Sequence, residues 1–176
     1  MTDPFITAHK TKHLLSHVLV AAGARRWPQA ALGESGETAT GFYADFGLAD
    51  APGDAELSTL TDDMARLLRD FRSFRDLQLT PAEALNRFSG QPWKTYQVQA
   101  VVELEARVRC YELDGFVDLC DCGIKDPREL RAVHPEKFLL TGTRRVVWSH
   151  RGRDSWFMRV TGEVFPAPPP CECCPP

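Results

Sequence analysis

FLLTGTRRVVWSHRGRDSWFMRVTGEVF, at residues 138–165, is the segment that decides the fold of this chain. Both halves are rich in β-branched and aromatic residues, and the RGRD between them is a turn signal, so the segment predicts an antiparallel hairpin. FVDLC (116–120) follows an Asp-Gly turn signal and FRDLQL (74–79) has strand-like composition. The sequence therefore predicts an antiparallel sheet.

Helical spacing of apolar residues marks the other half of the architecture. Residues 12–24 carry apolar side chains at helical intervals until Gly23 and Trp27-Pro28 end the pattern, and DAELSTLTDDMARLLRDF (54–71) repeats the spacing. TPAE at 80–83 is a capping box with proline at the first helical position, which opens a short helix. We predict an α+β fold in which a long N-terminal helix packs on the sheet.

Two segments give weaker patterns. Residues 31–46 begin with turn residues and end in alternation, which indicates one strand entered from a loop. Residues 96–113 have mixed periodicity, so a helix followed by a strand and a single long strand both fit.

Composition limits the class of protein. The chain has 176 residues, 43% of them hydrophobic and 26% charged, which is typical of a globular domain. We expect one domain at 1–166, followed by a mobile tail at 167–176 that is rich in proline and cysteine. The N-terminus lacks a signal-peptide layout and no apolar run reaches membrane-spanning length, so we expect a cytoplasmic protein away from membranes. A net charge of −3 argues against binding DNA by bulk electrostatics.

Three histidines recur at intervals of four, at His9, His13 and His17. Paired imidazoles at this spacing can converge on one ion or one water, although surface histidines are also common on helices. Strand alternation predicts that Cys120 and Cys122 point to the same side. His9, His13, Cys120 and Cys122 thus form a possible tetrahedral zinc set, with a pair of incidental cysteines as the alternative.

Several short motifs occur in an order that resembles a known family. They are HKTKHLLSH (9–17), GFYADF (41–46), PAEALNRF (81–88), PWK (92–94), FVDLC (116–120) and RVTG (159–162). Together they look like the editing domain of bacterial threonyl-tRNA synthetase, and more distantly like that of alanyl-tRNA synthetase. The likeness extends over residues 8–165, almost the whole chain.

The resemblance implies an activity and a set of residues. In that family the domain hydrolyses the ester that joins a wrong amino acid, typically serine, to the end of tRNA. The family's site residues fall on His9, His13, Lys94, Asp118 and Cys120. Tyr43, Ala44 and Asp45 fall on its substrate-binding segment.

Two positions depart from the family pattern. The last histidine of its Cys-x-x-x-His element falls on Ile124, and a tyrosine of its pocket falls on Ala44, which predicts an enlarged pocket. Zinc is held in the alanyl branch and generally not in the threonyl branch, so the resemblance leaves zinc open. Here Cys122 or a cysteine of the tail would have to supply the fourth ligand.

The expected partner is the acceptor end of an aminoacyl-tRNA, which arginines and a stacking aromatic ring would contact. The candidates are Arg25, Arg26, Arg144, Arg145, Arg151, Arg153 and Arg159, with Trp27, Trp93 or Trp148 for stacking. We therefore expect a free-standing deacylase for tRNA that carries a mischarged small amino acid, serine or a threonine analogue. The alternatives are an enzyme recruited to use aminoacyl-tRNA in small-molecule biosynthesis, and a non-catalytic module that binds charged tRNA or a metal.

Overall fold

The fold is α+β, as the sequence predicts. A computed structural model describes residues 4–102, 107–120, 126–150 and 152–165. Within these residues the strands form two antiparallel sheets, one ordered β1-β2-β7-β6 and one ordered β3-β4-β5. The strands are β1 (Ala31–Glu37), β2 (Gly41–Gly47), β3 (Phe74–Leu79), β4 (Val108–Leu113), β5 (Phe116–Leu119), β6 (Phe138–His150) and β7 (Arg153–Val164).

The long N-terminal helix is confirmed and extends beyond its predicted ends. The helices are α1 (Pro4–Arg26), α2 (Asp54–Asp70), α3 (Pro81–Arg87), α4 (Pro92–Val102) and α5 (Pro127–Arg131), with a 3₁₀ turn at Pro135–Lys137. The capping box at α3 is present: the Thr80 hydroxyl accepts from the Glu83 N–H while the Glu83 carboxylate accepts from the Thr80 N–H. No helix among the described residues is both long enough and apolar enough to cross a membrane.

The predicted hairpin at 138–165 is also confirmed, as β6 and β7. Its turn contains Gly152 at φ 74°, and the Asp114-Gly115 turn between β4 and β5 has φ of 49° and 82°. These are left-handed conformations that glycine and, to a lesser degree, aspartate adopt at low cost. The turn residues therefore set the register of both hairpins.

Two of the expected secondary-structure assignments have an outcome in the structure: the first is corrected, and the second, which had two alternatives, is decided. Residues 31–46 were expected to form one strand entered from a loop, but they contain two strands, β1 and β2, which pair across an irregular register. Backbone pairing with β2 stabilises β1 despite its glycines and polar residues. Residues 96–113 divide into the end of α4 and strand β4. The predicted tail at 167–176 lies outside the described residues.

The main core lies between α1, α2 and the four-stranded sheet. Leu15, Val18 and Leu19 of α1 are fully buried with Phe42 and Phe46 of β2. A second cluster joins α3 and α4 to the three-stranded sheet through Ala84, Phe88, Val98, Val108 and Cys110. Two packed units of this kind leave a seam where α1, β1, α4 and the β4–β5 hairpin meet.

Candidate functional site

A cavity of about 320 Å³ lies at this seam. It is at the small end of the volumes that ligand sites occupy. Polar side chains from five elements or their ends line it. They are His13, His17, Glu34, Ser35, Lys94, Gln97, Arg109 and Cys120, with Val101, Val108 and Leu119 as the apolar part.

His13 lies between an acid and a thiol. Its Nδ1 is 3.2 Å from Oε1 of Glu37, and its Nε2 is 3.3 Å from Sγ of Cys120. Because Nδ1 faces a carboxylate, we assign the proton to Nδ1, which turns the lone pair of Nε2 towards the thiol. Glu37 therefore fixes both the tautomer and the direction of the ring, and it was not predicted from the sequence.

His17 joins the same cluster from one turn further along α1. It is buried, its ring stacks on Tyr111 at a centroid distance of 3.9 Å, and it meets the His13 ring edge-on at 4.5 Å. The Tyr111 hydroxyl donates to the backbone oxygen of His17. Burial raises the pKa of Tyr111 well above its ordinary value, so the phenol stays protonated as a donor.

Ligand atoms of His13, His17 and Cys120 lie within 4.8 Å of one another. Two imidazoles and one thiolate are a donor set that suits zinc and leaves a fourth position for water. These three residues could therefore hold a metal ion. The set differs from the one predicted from the sequence, because His17 takes part where His9 was expected.

His9, another predicted ligand, is not in this cluster. The side chain of His9 is 71% exposed, and its Nδ1 contacts Oε2 of Glu37, so Glu37 bridges His9 and His13. Cys122 and Ile124 lie outside the described residues. Neither Cys110 nor Cys120 forms a disulfide within the described part of the chain, and burial raises the pKa of Cys110 to about 12.

Lys94 and Asp118 form a buried ion pair beside the cluster. The ammonium nitrogen is 2.9 Å from Oδ1 and 3.1 Å from Oδ2 of Asp118, and the two side chains are 3% and 0% exposed. Asp118 Oδ1 also accepts from the backbone N–H of Leu119. A lysine ammonium has three N–H donors, so the pair leaves one donor of Lys94 for a group in the cavity.

Glu34 contributes a carboxylate that the sequence did not reveal. The indole Nε1 of Trp93 and the amide Nε2 of Gln97 both donate to its Oε1, at 2.9 and 2.8 Å. Its second oxygen, Oε2, has no hydrogen bond among the described residues. Glu34 lies in a stretch whose pattern indicated a loop, and its partners are about sixty positions away, so no local signal could have identified it.

The predicted substrate-binding segment in β2 does not line this cavity. Asp45 is buried, where it accepts from Nε and Nη2 of Arg159 and from the indole of Trp148. The guanidinium of Arg159 also lies 3.7 Å from the centre of the Tyr43 ring. Burial raises the pKa of Tyr43. Ala44 faces the opposite way, into the main core.

The arginines and tryptophans that were predicted to contact RNA differ in exposure and in their partners: some are exposed and others lie near acidic or aromatic side chains. Arg144 and Arg145 are exposed on opposite faces of β6. Arg25 and Arg26 lie near Asp114 and Asp63, and Arg159 is engaged by Asp45. Trp27 packs on Phe46, whereas the most exposed indole is Trp156, at 60%, which was not predicted. Arg151 lies outside the described residues.

No family model matches the chain. The chain is similar to proteins named threonine–tRNA ligase. One from Clostridium perfringens strain SM101 is 30% identical over 159 residues, which is 90% of this chain and 24% of the relative. Another from Desulforamulus reducens is 26% identical over 157 residues, covering 88% and 24%. One from Borrelia garinii is 23% identical over 157 residues, covering 89% and 26%.

The chain spans about a quarter of the length of the curated relatives it matches. Almost the whole chain aligns, so the similarity concerns one portion of those ligases. This agrees with the α+β architecture and is consistent with an editing-domain-like region.

Proposed function

We propose that the chain is an aminoacyl-tRNA deacylase that hydrolyses the ester of a mischarged small amino acid on tRNA. The observation that carries the proposal is the cavity in which His13, Cys120 and Lys94 converge. Support also comes from the similarity to threonine–tRNA ligases over 90% of the chain. The substrate class, serine or a threonine analogue on tRNA, follows from the resemblance noted in the sequence.

Ester hydrolysis requires an activated water and a donor for the developing oxyanion. In the absence of a metal, His13 can accept a proton from that water through Nε2, because Glu37 holds its other ring nitrogen, and can return it to the ribose oxygen as the ester bond breaks. Lys94 offers its remaining N–H to the oxyanion, since Asp118 occupies the other donors. Alternatively, His13, His17 and Cys120 could hold a zinc ion, which would lower the pKa of a bound water; Nε2 of His13 would then be a ligand and not the base.

The direct test is the release of amino acid from a panel of aminoacyl-tRNAs. We expect faster loss of serine from threonine tRNA with the protein than without it. His13→Asn should lower kcat by about 100-fold or more, which is the usual contribution of a general base. His134→Asn is the matched control, because the imidazole of His134 is exposed and contacts Glu136, away from the cavity.

Two results would contradict the proposal. One is the absence of accelerated ester loss for every aminoacyl-tRNA in the panel. The other is equal activity of the His13→Asn and His134→Asn proteins. Elemental analysis of the same preparations decides whether zinc accompanies the activity, and His17→Asn should remove the metal if His17 is a ligand.

A further inference from the structure

Glu34 and its neighbour Gln97 present acceptors that lack donors. Both donors aimed at Glu34 converge on Oε1, which leaves Oε2 without a hydrogen bond among the described residues. The amide oxygen of Gln97, Oε1, is buried and also has no hydrogen-bond partner there. The Gln97 oxygen is unfavourable because it is buried without a donor, whereas Oε2 of the partly exposed Glu34 carries negative charge with no donor, so this corner of the cavity matches a cationic ligand rich in N–H groups.

Asp118, whose carboxylate lies beside the cavity, is already paired with a cation. The family resemblance placed Asp118 among the site residues, which makes it the other candidate for the ammonium group of the substrate. It is fully buried, however, and Lys94 contacts both of its oxygens. A second cation beside the same carboxylate would meet the ammonium of Lys94, which is a like charge.

We propose that Glu34, not Asp118, binds the α-ammonium group of the aminoacyl ester, with Gln97 assisting. This inference rests on the proposed function. A primary ammonium carries three N–H donors and a positive charge, which complement one carboxylate oxygen and one amide oxygen. Trp93 and Gln97 hold the Glu34 side chain in place before the substrate arrives, so little conformational entropy is lost on binding.

The consequence is selectivity for a free amino group. A peptidyl-tRNA or an N-acylated aminoacyl-tRNA has a neutral amide at this position and would leave the Glu34 carboxylate uncompensated. Such substrates should be poor even when their side chain and tRNA are unchanged. Selectivity of this kind restricts the enzyme to aminoacyl-tRNA whose α-amino group is free.

Glu34→Gln tests the proposal, because the glutamine keeps the shape and the acceptor for Trp93 and Gln97 but replaces Oε2 with a donor. For threonine tRNA charged with serine, we expect kcat/KM to fall roughly ten- to hundredfold, which is the range for loss of a charge-assisted contact. For N-acetyl-seryl-tRNA, kcat/KM should already be low in the wild type and should change less than twofold in the variant. Glu136→Gln, at an exposed carboxylate, should change neither value.

An equal loss with both substrates would overturn the proposal, because it would assign Glu34 a structural or proton-transfer role. No loss with either substrate would overturn it as well.

A binding measurement separates this inference from the proposed function. The probe is 3′-(L-serylamino)-3′-deoxyadenosine, an amide that resists hydrolysis, beside its N-acetyl form, both titrated into the protein by calorimetry. If no tRNA is deacylated, the proposed function fails. Tighter binding of the free amine, lost in Glu34→Gln, would still support the role of Glu34. Equal binding of the two probes, or no binding of either, would overturn it.

Discussion

Lys94→Met should destabilise the protein by about 3–5 kcal/mol, the usual consequence of removing one partner from a buried ion pair. Both side chains are almost inaccessible to solvent, and the ammonium of Lys94 lies 2.9 and 3.1 Å from the oxygens of Asp118. Once the ammonium is gone, the carboxylate stays buried and no other described cation forms an ion pair with it. Most of the loss is therefore the cost of an uncompensated charge.

Removing both charges should restore much of the stability. In the Lys94→Met, Asp118→Asn protein the buried charge is absent, and the asparagine oxygen can still accept from the Leu119 N–H. We expect this double variant to be more stable than Lys94→Met alone by about 2 kcal/mol, because contacting residues couple by up to about 3 kcal/mol.

Urea unfolding at pH 7, followed by far-UV circular dichroism, gives the free energy of unfolding of each variant. Lys10→Met is the matched control, since the Lys10–Glu129 pair is exposed and should contribute less than about 1 kcal/mol. The reasoning is refuted if Lys94→Met costs no more than Lys10→Met. It is also refuted if the effects of Lys94→Met and Asp118→Asn simply add in the double variant.

Three further outcomes are expected. Glu37→Gln should lower the kcat of deacylation by roughly 10- to 100-fold, because the variant loses the carboxylate that orients His13. The urea concentration at the midpoint of unfolding should not change. An unchanged kcat would refute the role given to the contact between Glu37 and His13. Gly23→Ala should lower the free energy of unfolding by about 1–3 kcal/mol, because the added Cβ would lie 2.3 Å from the buried ring of Phe46; a neutral effect in urea titration would contradict this. The backbone N–H of Gly115 and the side chain of Arg75 lower the pKa of Glu112 in the folded protein. The ionised Glu112 therefore stabilises the fold fully above its unfolded-state pKa, and this contribution is lost as the pH falls through its folded-state pKa. The stability gap between wild type and Glu112→Gln, measured by urea unfolding, should thus shrink from pH 7 to acid; a constant gap would argue against this linkage.

Much of the fold follows from local patterns in the sequence. The spacing of Leu15, Val18 and Leu19 indicated α1, and the turn residues at 114–115 and 152 indicated the hairpins. These features act within a few residues, through side-chain periodicity and backbone conformation. β1 was missed because its glycines and polar residues have no strand pattern of their own.

The site was predicted only in part. His13, Lys94, Asp118 and Cys120 do lie together around one cavity or its buried ion pair. Periodicity could not decide which neighbour of His13 on α1 would join it. His17 is buried against Tyr111 and lies in the cluster, whereas the His9 side chain is 71% exposed, and tertiary packing, which periodicity does not record, makes this difference.

The sequence by itself determined the α+β class, the long first helix and the antiparallel hairpins, and its family resemblance proposed a group of histidine, lysine, aspartate and cysteine positions as a site. Only the tertiary structure decided what each side chain does. In the fold Lys94 pairs with Asp118, Glu37 contacts His13, and Oε2 of Glu34 has no hydrogen bond from any residue that the structure describes. The physical reason is that charge compensation depends on atoms separated by 24 to about 60 positions in the chain, which no local pattern records.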